Sequence, residues 1–341
     1  MSYSKALSRR QRREFANPAV SPATSYAGVH ATPFIAPALK LASTLEKGFV
    51  RQIDGIQNKA VISNLTSAGT LQAANCSWND NDSLTLGERV LTLTDLSVME
   101  ALCRGTLLPT WAGMTGARET MTAGSPEFVT FVMATVAAYT AEAVENVIWI
   151  GSSLYAGGFL SNDGVYDNAG YQASIIGTAA VNEQAVTAAG FTAANVLGAT
   201  GAFAEVYNNA VANAPGILNK TDITFYCSTA VAGKYMQALA ASGNAQGVNL
   251  QATNQAFDTL QYLGIPLSVC PGMPDEALLL THKENLVVGS NLNTDYTTAQ
   301  YIDAWQFDGG DEVKIAMRFG LGCQVAMPSD VVFGAYAAIL A

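Results

Sequence analysis

The feature that most limits how this chain can fold is a helix start at Ser125-Pro126-Glu127. A side-chain acceptor stands at the cap, and proline takes the first helical position, where its missing N–H costs nothing. An acid then faces the positive end of the helix dipole. Apolar residues recur at Phe128, Val132, Val136, Tyr139, Ala143 and Val147, the spacing of one helical face. The helix is expected to run to about Trp149 and to stop near Gly151, a length on the order of 35 Å. Such a helix is a spine on which other elements must pack.

The chain before it reads as an arm followed by a ribbon. Residues 1–45 carry Pro18, Pro22, Pro33 and Pro37 among Ser, Thr and Ala. Proline at this density removes backbone donors and opposes helix, so the arm is expected to run extended and to pack on something else. Residues 58–94 read as β structure. Lys59–Leu65 alternates loosely, Asn79-Asp80-Asn81-Asp82 forms a polar tip, and Leu84–Leu86 and Arg89–Leu93 return with period two. This ribbon has too few apolar residues for a core of its own and is expected to lie on a partner. Its tip lacks the glycine and distal glutamate of an EF-hand loop, which favours a solvated turn over calcium. Asp95 is expected to cap a short helix through Met99, Leu102 and Cys103.

Beyond Gly151 the texture turns to Gly, Ser, Asn and Asp. Phe203, Val206, Tyr207 and Ala210 predict a helix ending before Pro215. Ile223–Cys227 predicts a strand, with Ser228 capping a helix through Val231, Tyr235, Met236 and Leu239. Ile265–Val269, Leu278–Thr281 and Leu286–Val288 read as buried strands, Asp311–Met327 as a long alternating one, and Val331–Leu340 as a final apolar one. Helix and strand mix without a βαβ rhythm, so the fold class is α+β.

Charge divides the chain. Lys5, Arg9, Arg10, Arg12 and Arg13 place five positive charges in the first thirteen residues, while the whole chain carries a net charge of -10. The arm is the part suited to a polyanion. Only 13% of the residues are charged, against roughly 25% in an average soluble protein. So weakly charged a surface suits broad contact with neighbouring subunits, where each buried charge would need a partner. An ordinary secreted or surface protein has a similar composition. The N-terminus lacks the apolar stretch of a secretory signal, and no apolar run is long enough for a membrane span.

Residues that might carry chemistry do not assemble into a motif. Gly151-Ser152-Ser153-Leu154-Tyr155 lacks the second glycine of a nucleophile elbow, and His30 and His282 stand in unpromising contexts. Gly198-Ala199-Thr200-Gly201 lacks the lysine of a P-loop and reads as a helix start. Five scattered cysteines without C-x-x-C spacing and two histidines write no zinc site. Asp303, Asp308, Asp311 and Glu312 read as a solvated or inter-subunit face rather than a metal cluster. Trp78, Trp111, Trp149 and Trp305 do not interleave with basic residues, as a single-strand groove would require. No catalytic, cofactor or metal residue is expected.

The order of elements does carry a signal. A long helix closes on "AEAVENVIWIGS", a mixed region contains "LGIPLSVCPGMPDEALLLTHKENLVVGSNL", and "DEVKIAMRFGLGCQVAMPSDVVFG" comes near the end. Together with "LTLGERVLTLTDLSVMEALC", this resembles the major capsid proteins of tailed double-stranded DNA bacteriophages, the Hong Kong 97-type fold, over roughly residues 45–335. The resemblance implies an N-terminal arm (1–54), an extended loop (55–95), a peripheral domain (96–155 and 300–327) and an axial domain (156–299 and 328–341). It also implies hexamers and pentamers closing an icosahedral shell around the genome, assembled in the host cytoplasm. Portal protein, and scaffold and decoration proteins, are the partners it suggests, with no enzyme activity and no membrane. No lysine–asparagine crosslinking pair is matched, and no long scaffolding region precedes the arm, which points to a separate scaffold or none. Lys5, Arg9, Arg10, Arg12 and Arg13 would face packaged DNA without sequence preference, or else dock a scaffold. An encapsulin-like nanocompartment shell is a rival within the fold, and a surface-layer or pilus-like protein is a rival outside it.

Overall fold

A computed structural model describes residues 23–27, 42–67, 84–103, 126–151, 158–160, 181–241, 260–291, 298–304, 310 and 312–336; for 23–27, 67 and 126–131 it describes backbone only. In chain order the first elements are β1 (Ala23–Ala27), the single turn α1 (Ser43–Glu46), β2 (Arg51–Ile53), β3 (Lys59–Ser67), β4 (Leu84–Thr92) and β5 (Thr94–Cys103). The long helix α2 (Pro126–Trp149) follows, then β6 (Asn182–Val186), α3 (Ala202–Asn213), β7 (Ile223–Cys227) and α4 (Thr229–Ala241). The chain continues with β8 (Gln261–Tyr262), β9 (Ile265–Val269), β10 (Ala277–His282), β11 (Leu286–Ser290), β12 (Thr298–Asp303), β13 (Glu312–Val325) and β14 (Val332–Tyr336).

The strands form two six-stranded sheets and a two-stranded ribbon. The first sheet runs β1-β12-β13-β11-β2, with β5 also paired to β13. Strand β13 is its backbone: Val313, Ile315, Met317, Phe319 and Leu321 are buried, whereas Glu312, Lys314 and Arg318 are exposed, the alternation of a half-buried strand. β5 and β12 pair with the same stretch of β13 and therefore lie on its opposite edges. From the proline-rich arm, β1 adds to the outer edge of β12. The second sheet runs β6-β14-β10-β7-β9-β8. Every residue of β7 and β10 is buried. Helix α3 lies close over β14, where a Cβ on Gly334 would sit 2.2 Å from Val206.

Two expectations are corrected. Thr94–Cys103 is a strand, not a capped helix, and it pairs antiparallel with Glu312–Leu321. Leu96 and the partly buried Val98 and Leu102 face inward at period two, whereas Met99, read as helical, points out. The long helix has its expected start and end, with Gly151 at φ 75° just beyond it. Its buried face, however, is rotated. Val132, Val136 and Val147 are buried as expected, but Tyr139 is 73% exposed and Ala143 is exposed too. The inward positions include Met133, Ala137, Ala141 and Val144. Small residues lie inward, and the helix backbone meets Gly272, where a Cβ would stand 2.5 Å from the Glu145 carbonyl. Close approach outweighs the bulk of Tyr139.

Candidate assembly surface

The ribbon, β3 paired with β4, is rooted in the first sheet and naked beyond it. At the root, Leu91 is fully buried with Ile56 and Val287, and Ile53, Ala60, Ile62, Leu93 and Ala326 pack around them. Two glycines make this crossing possible. A Cβ on Gly289 would lie 2.6 Å from Leu91 Cδ2, and one on Gly322 would lie 2.3 Å from the Thr92 carbonyl. The Gln324 amide donates to the Val90 carbonyl at 3.1 Å, and Leu93 N–H donates to the Asn58 carbonyl at 2.9 Å. Nearby, Ser290 Oγ donates to Asp54 Oδ1 at 2.6 Å.

Directly opposed residues of an antiparallel pair share a face. Val61 opposes Val90 and Leu65 opposes Leu86, with Ser63 opposite Glu88 between the two pairs; Leu84, opposite Ser67, continues the same face. These five side chains are between 47% and 62% exposed. The other face carries Ile62 with Arg89, Asn64 with Gly87, and Thr66 with Thr85. The apolar residues thus lie along one side of a two-stranded ribbon, as a stripe broken midway by Ser63 and Glu88, and the ribbon is marginal alone in water. Full burial of each would contribute about 1.5–3 kcal/mol.

A second apolar surface lies between β5 and α2. Val98, Met99, Leu102, Val136, Tyr139 and Ala143 line most of a groove of about 660 Å³, with Glu100 and Thr135 among its polar residues. Met99 and Tyr139 are its exposed large side chains. The sequence reading missed this groove, because β5 was read as helix and Tyr139 as core.

Other residues singled out from the sequence scatter. Lys5, Arg9, Arg10, Arg12 and Arg13 lie outside the described residues, as do Ser152, the tip Asn79–Asp82, Asp308 and Asp311. Within the acidic run, Asp303 is buried in β12 rather than solvated, whereas Glu312 is exposed beside Lys314 at 3.6 Å. Trp149 is a core residue, and Gly201 caps α3, as expected of a helix start. His282 ends β10 buried, with Nδ1 unpartnered; burial, with Lys220 nearby, lowers its pKa below the usual value. Burial pushes the Cys227 and Cys323 thiols up to about 12, so both are small apolar fillers rather than nucleophiles. Among the described residues no group of three or more His, Cys, Asp or Glu gathers as metal ligands, and no helix is long and apolar enough to cross a membrane.

A buried tie links the arm to the long helix and was not anticipated. Glu145 accepts from Thr44 N–H at 2.9 Å and from the Thr44 hydroxyl, which in turn accepts from Trp149 Nε1 at 2.9 Å. Glu142 and Glu145 look alike in the sequence of this apolar helix; only the tertiary contact shows Glu145 buried while Glu142 is exposed.

No protein-family model and no curated protein matches this sequence. Solved structures do match its fold. A chain from the capsid of a native GTA particle superposes with a TM-score of 0.55 at 15% identity, covering 87% of this chain and 90% of that one. The capsid of the empty GTA particle gives 0.54 at 13% identity, over 87% and 90%. A chain from Gordonia phage Cozz gives 0.53 at 15% identity, over 86% of each. The chain therefore has the mixed α+β architecture of Hong Kong 97-like capsid structures.

Proposed function

We propose that this chain is a non-catalytic shell subunit, the major capsid protein of a tailed double-stranded DNA phage. Its copies form hexamers and pentamers that close an icosahedral container around the genome. The observation that carries this reading is the one-sided stripe of Val61, Leu65, Leu84, Leu86 and Val90 on a ribbon rooted at its base. A subunit that worked alone would have no use for it; a subunit that lies on its neighbour buries it.

In this reading the ribbon is the extended loop of residues 55–95. Residues 96–155 and 300–327 form the peripheral domain, and 156–299 and 328–341 the axial domain. Assembly works by differential contact, because the stripe reaches its full apolar burial only against a second copy. At about 25 cal/mol per Å² even a small contact contributes, and closure multiplies it. Lys5, Arg9, Arg10, Arg12 and Arg13 would touch packaged phosphates without sequence preference.

Electron microscopy of the purified protein, with a nucleic-acid assay of the particles, tests the reading. Closed shells of uniform size, filled with DNA when made in an infected host, are the expected result. Shells holding protein cargo would move the chain to the nanocompartment reading, and sheets or fibres without shells would end the capsid reading. Changing Arg9, Arg10, Arg12 and Arg13 to Gln should leave empty shells intact and lower DNA retention; failure to assemble would assign the arm to a scaffold.

A further inference from the structure

We propose that Leu263, at the tip of the β8–β9 hairpin, is a contact point for a second copy of this chain. The proposal rests on the shell reading and adds a site to it, separate from the ribbon. Tyr262 pairs with Ile265, so Leu263 and Gly264 form a two-residue turn, and both have positive φ, 49° and 82°. A turn of that kind favours Asn-Gly. Leucine there is the one non-glycine residue with positive φ among the described residues. For an L-residue that conformation is costly, and it persists where the surroundings over-determine it.

The surroundings do so here. Tyr235 Oη donates to the Gln261 carbonyl at 2.6 Å, and Leu267 N–H donates to the Leu260 carbonyl at 2.9 Å. The Tyr262 ring sits 5.4 Å from Phe203 and 5.8 Å from Phe225. This anchored stem presents a leucine that is 65% exposed, with Pro266 also exposed beside it. The subunit bears the strain and gains little burial in return. Leu260–Met273 contains no charged residue, so the tip offers nothing to a polyanion and fits an apolar, uncharged surface. β8 is the end strand of its sheet, which places the tip at an edge where a neighbouring copy can meet it.

Two variants of the full chain separate the turn from the contact. Leu263→Asn relaxes the backbone and removes the apolar knob, whereas Leu263→Met keeps both the knob and the backbone conformation. In denaturant unfolding of dissociated subunits, Leu263→Asn should raise the folded-to-unfolded ratio about three- to tenfold. The same variant should raise the concentration threshold for assembly, read by light scattering, by roughly tenfold or more. Leu263→Met should stay close to the parent in both. Assembly of Leu263→Asn at the parental threshold would overturn the proposal. So would an unimproved subunit stability, or a Leu263→Met variant that assembles as badly as Leu263→Asn. Normal assembly combined with lost binding of a different protein would give the tip another partner and refute the second copy. A parent chain with no threshold at any concentration defeats the shell reading itself, a result distinct from all of these.

Discussion

The ribbon and the second sheet use the same material in opposite ways. In the second sheet, β7 and β10 are buried at every residue, and Phe203 of α3 packs its ring against Tyr235 of α4 and against Phe225 and Tyr262 of the sheet. The ribbon buries its root alone and leaves five large apolar side chains in solvent. One region completes its core within the chain, and the other is half a core. On the proposed shell reading, the work of folding and the work of associating would be held by different residues.

That division is open to attack from both sides. The largest effect is expected in the second sheet. Leu279 is fully buried in β10, and Leu279→Asp places an unpaired carboxylate there, at a cost of at least about 4 kcal/mol. No soluble subunit should be recovered; soluble, folded protein from this variant would show that the sheet is not the folding core.

A smaller effect concerns pH. His282 has a folded-state pKa below its unfolded value near 6.5, because burial opposes the charged form. Its contribution is complete above the unfolded pKa and is lost as pH falls from about 6.5 through the folded value, since the unfolded chain then binds the proton more readily. Lys220, Asp222, Glu284 and Asp330 shape the local field. His282→Gln should flatten the stability profile below that pH, as followed by urea midpoints. An unchanged slope would place the acid sensitivity in other groups.

The smallest effect on the subunit is expected at the ribbon, and it sharpens the comparison most. Leu65→Asp with Leu86→Lys should shift subunit stability by no more than about 0.5 kcal/mol, because both side chains are 62% exposed and the directly opposed charges are of opposite sign. Assembly should fail, since two charges would have to be stripped of water against an apolar neighbour. Normal particles from the double variant would show that the stripe is not a contact. A strongly destabilised subunit would show that the stripe is covered within the chain.

Much of this division was legible in the sequence, and the failures have a common cause. The helix start at Pro126, the stop at Gly151, the Ser228 cap and the strands Ile223–Cys227 and Ile265–Val269 all depend on local chemistry. Ser228 Oγ accepts from Val231 N–H at 3.2 Å, as a capping serine should. Thr94–Cys103 failed because Asp95 with Met99, Leu102 and Cys103 imitates helical spacing. Its true partner, β13, lies more than 200 residues away in sequence. The face of the long helix failed because closeness to Gly272 matters more there than side-chain bulk. The ribbon's alternation was visible, but which side would stay bare was set by Ile56, Val287 and the two glycines beneath it.

Those glycines make the ribbon a lever. At about 3.3 Å per residue its nine-residue strands extend roughly 30 Å from the fulcrum at Gly289 and Gly322. A tilt of about 10° at the fulcrum would sweep the far end by about 5 Å, more than the spacing of one residue along a strand. A neighbour would then meet the stripe out of step. On the shell reading, two missing methyl groups at the ribbon's root would in this way set where on a neighbour the ribbon lands.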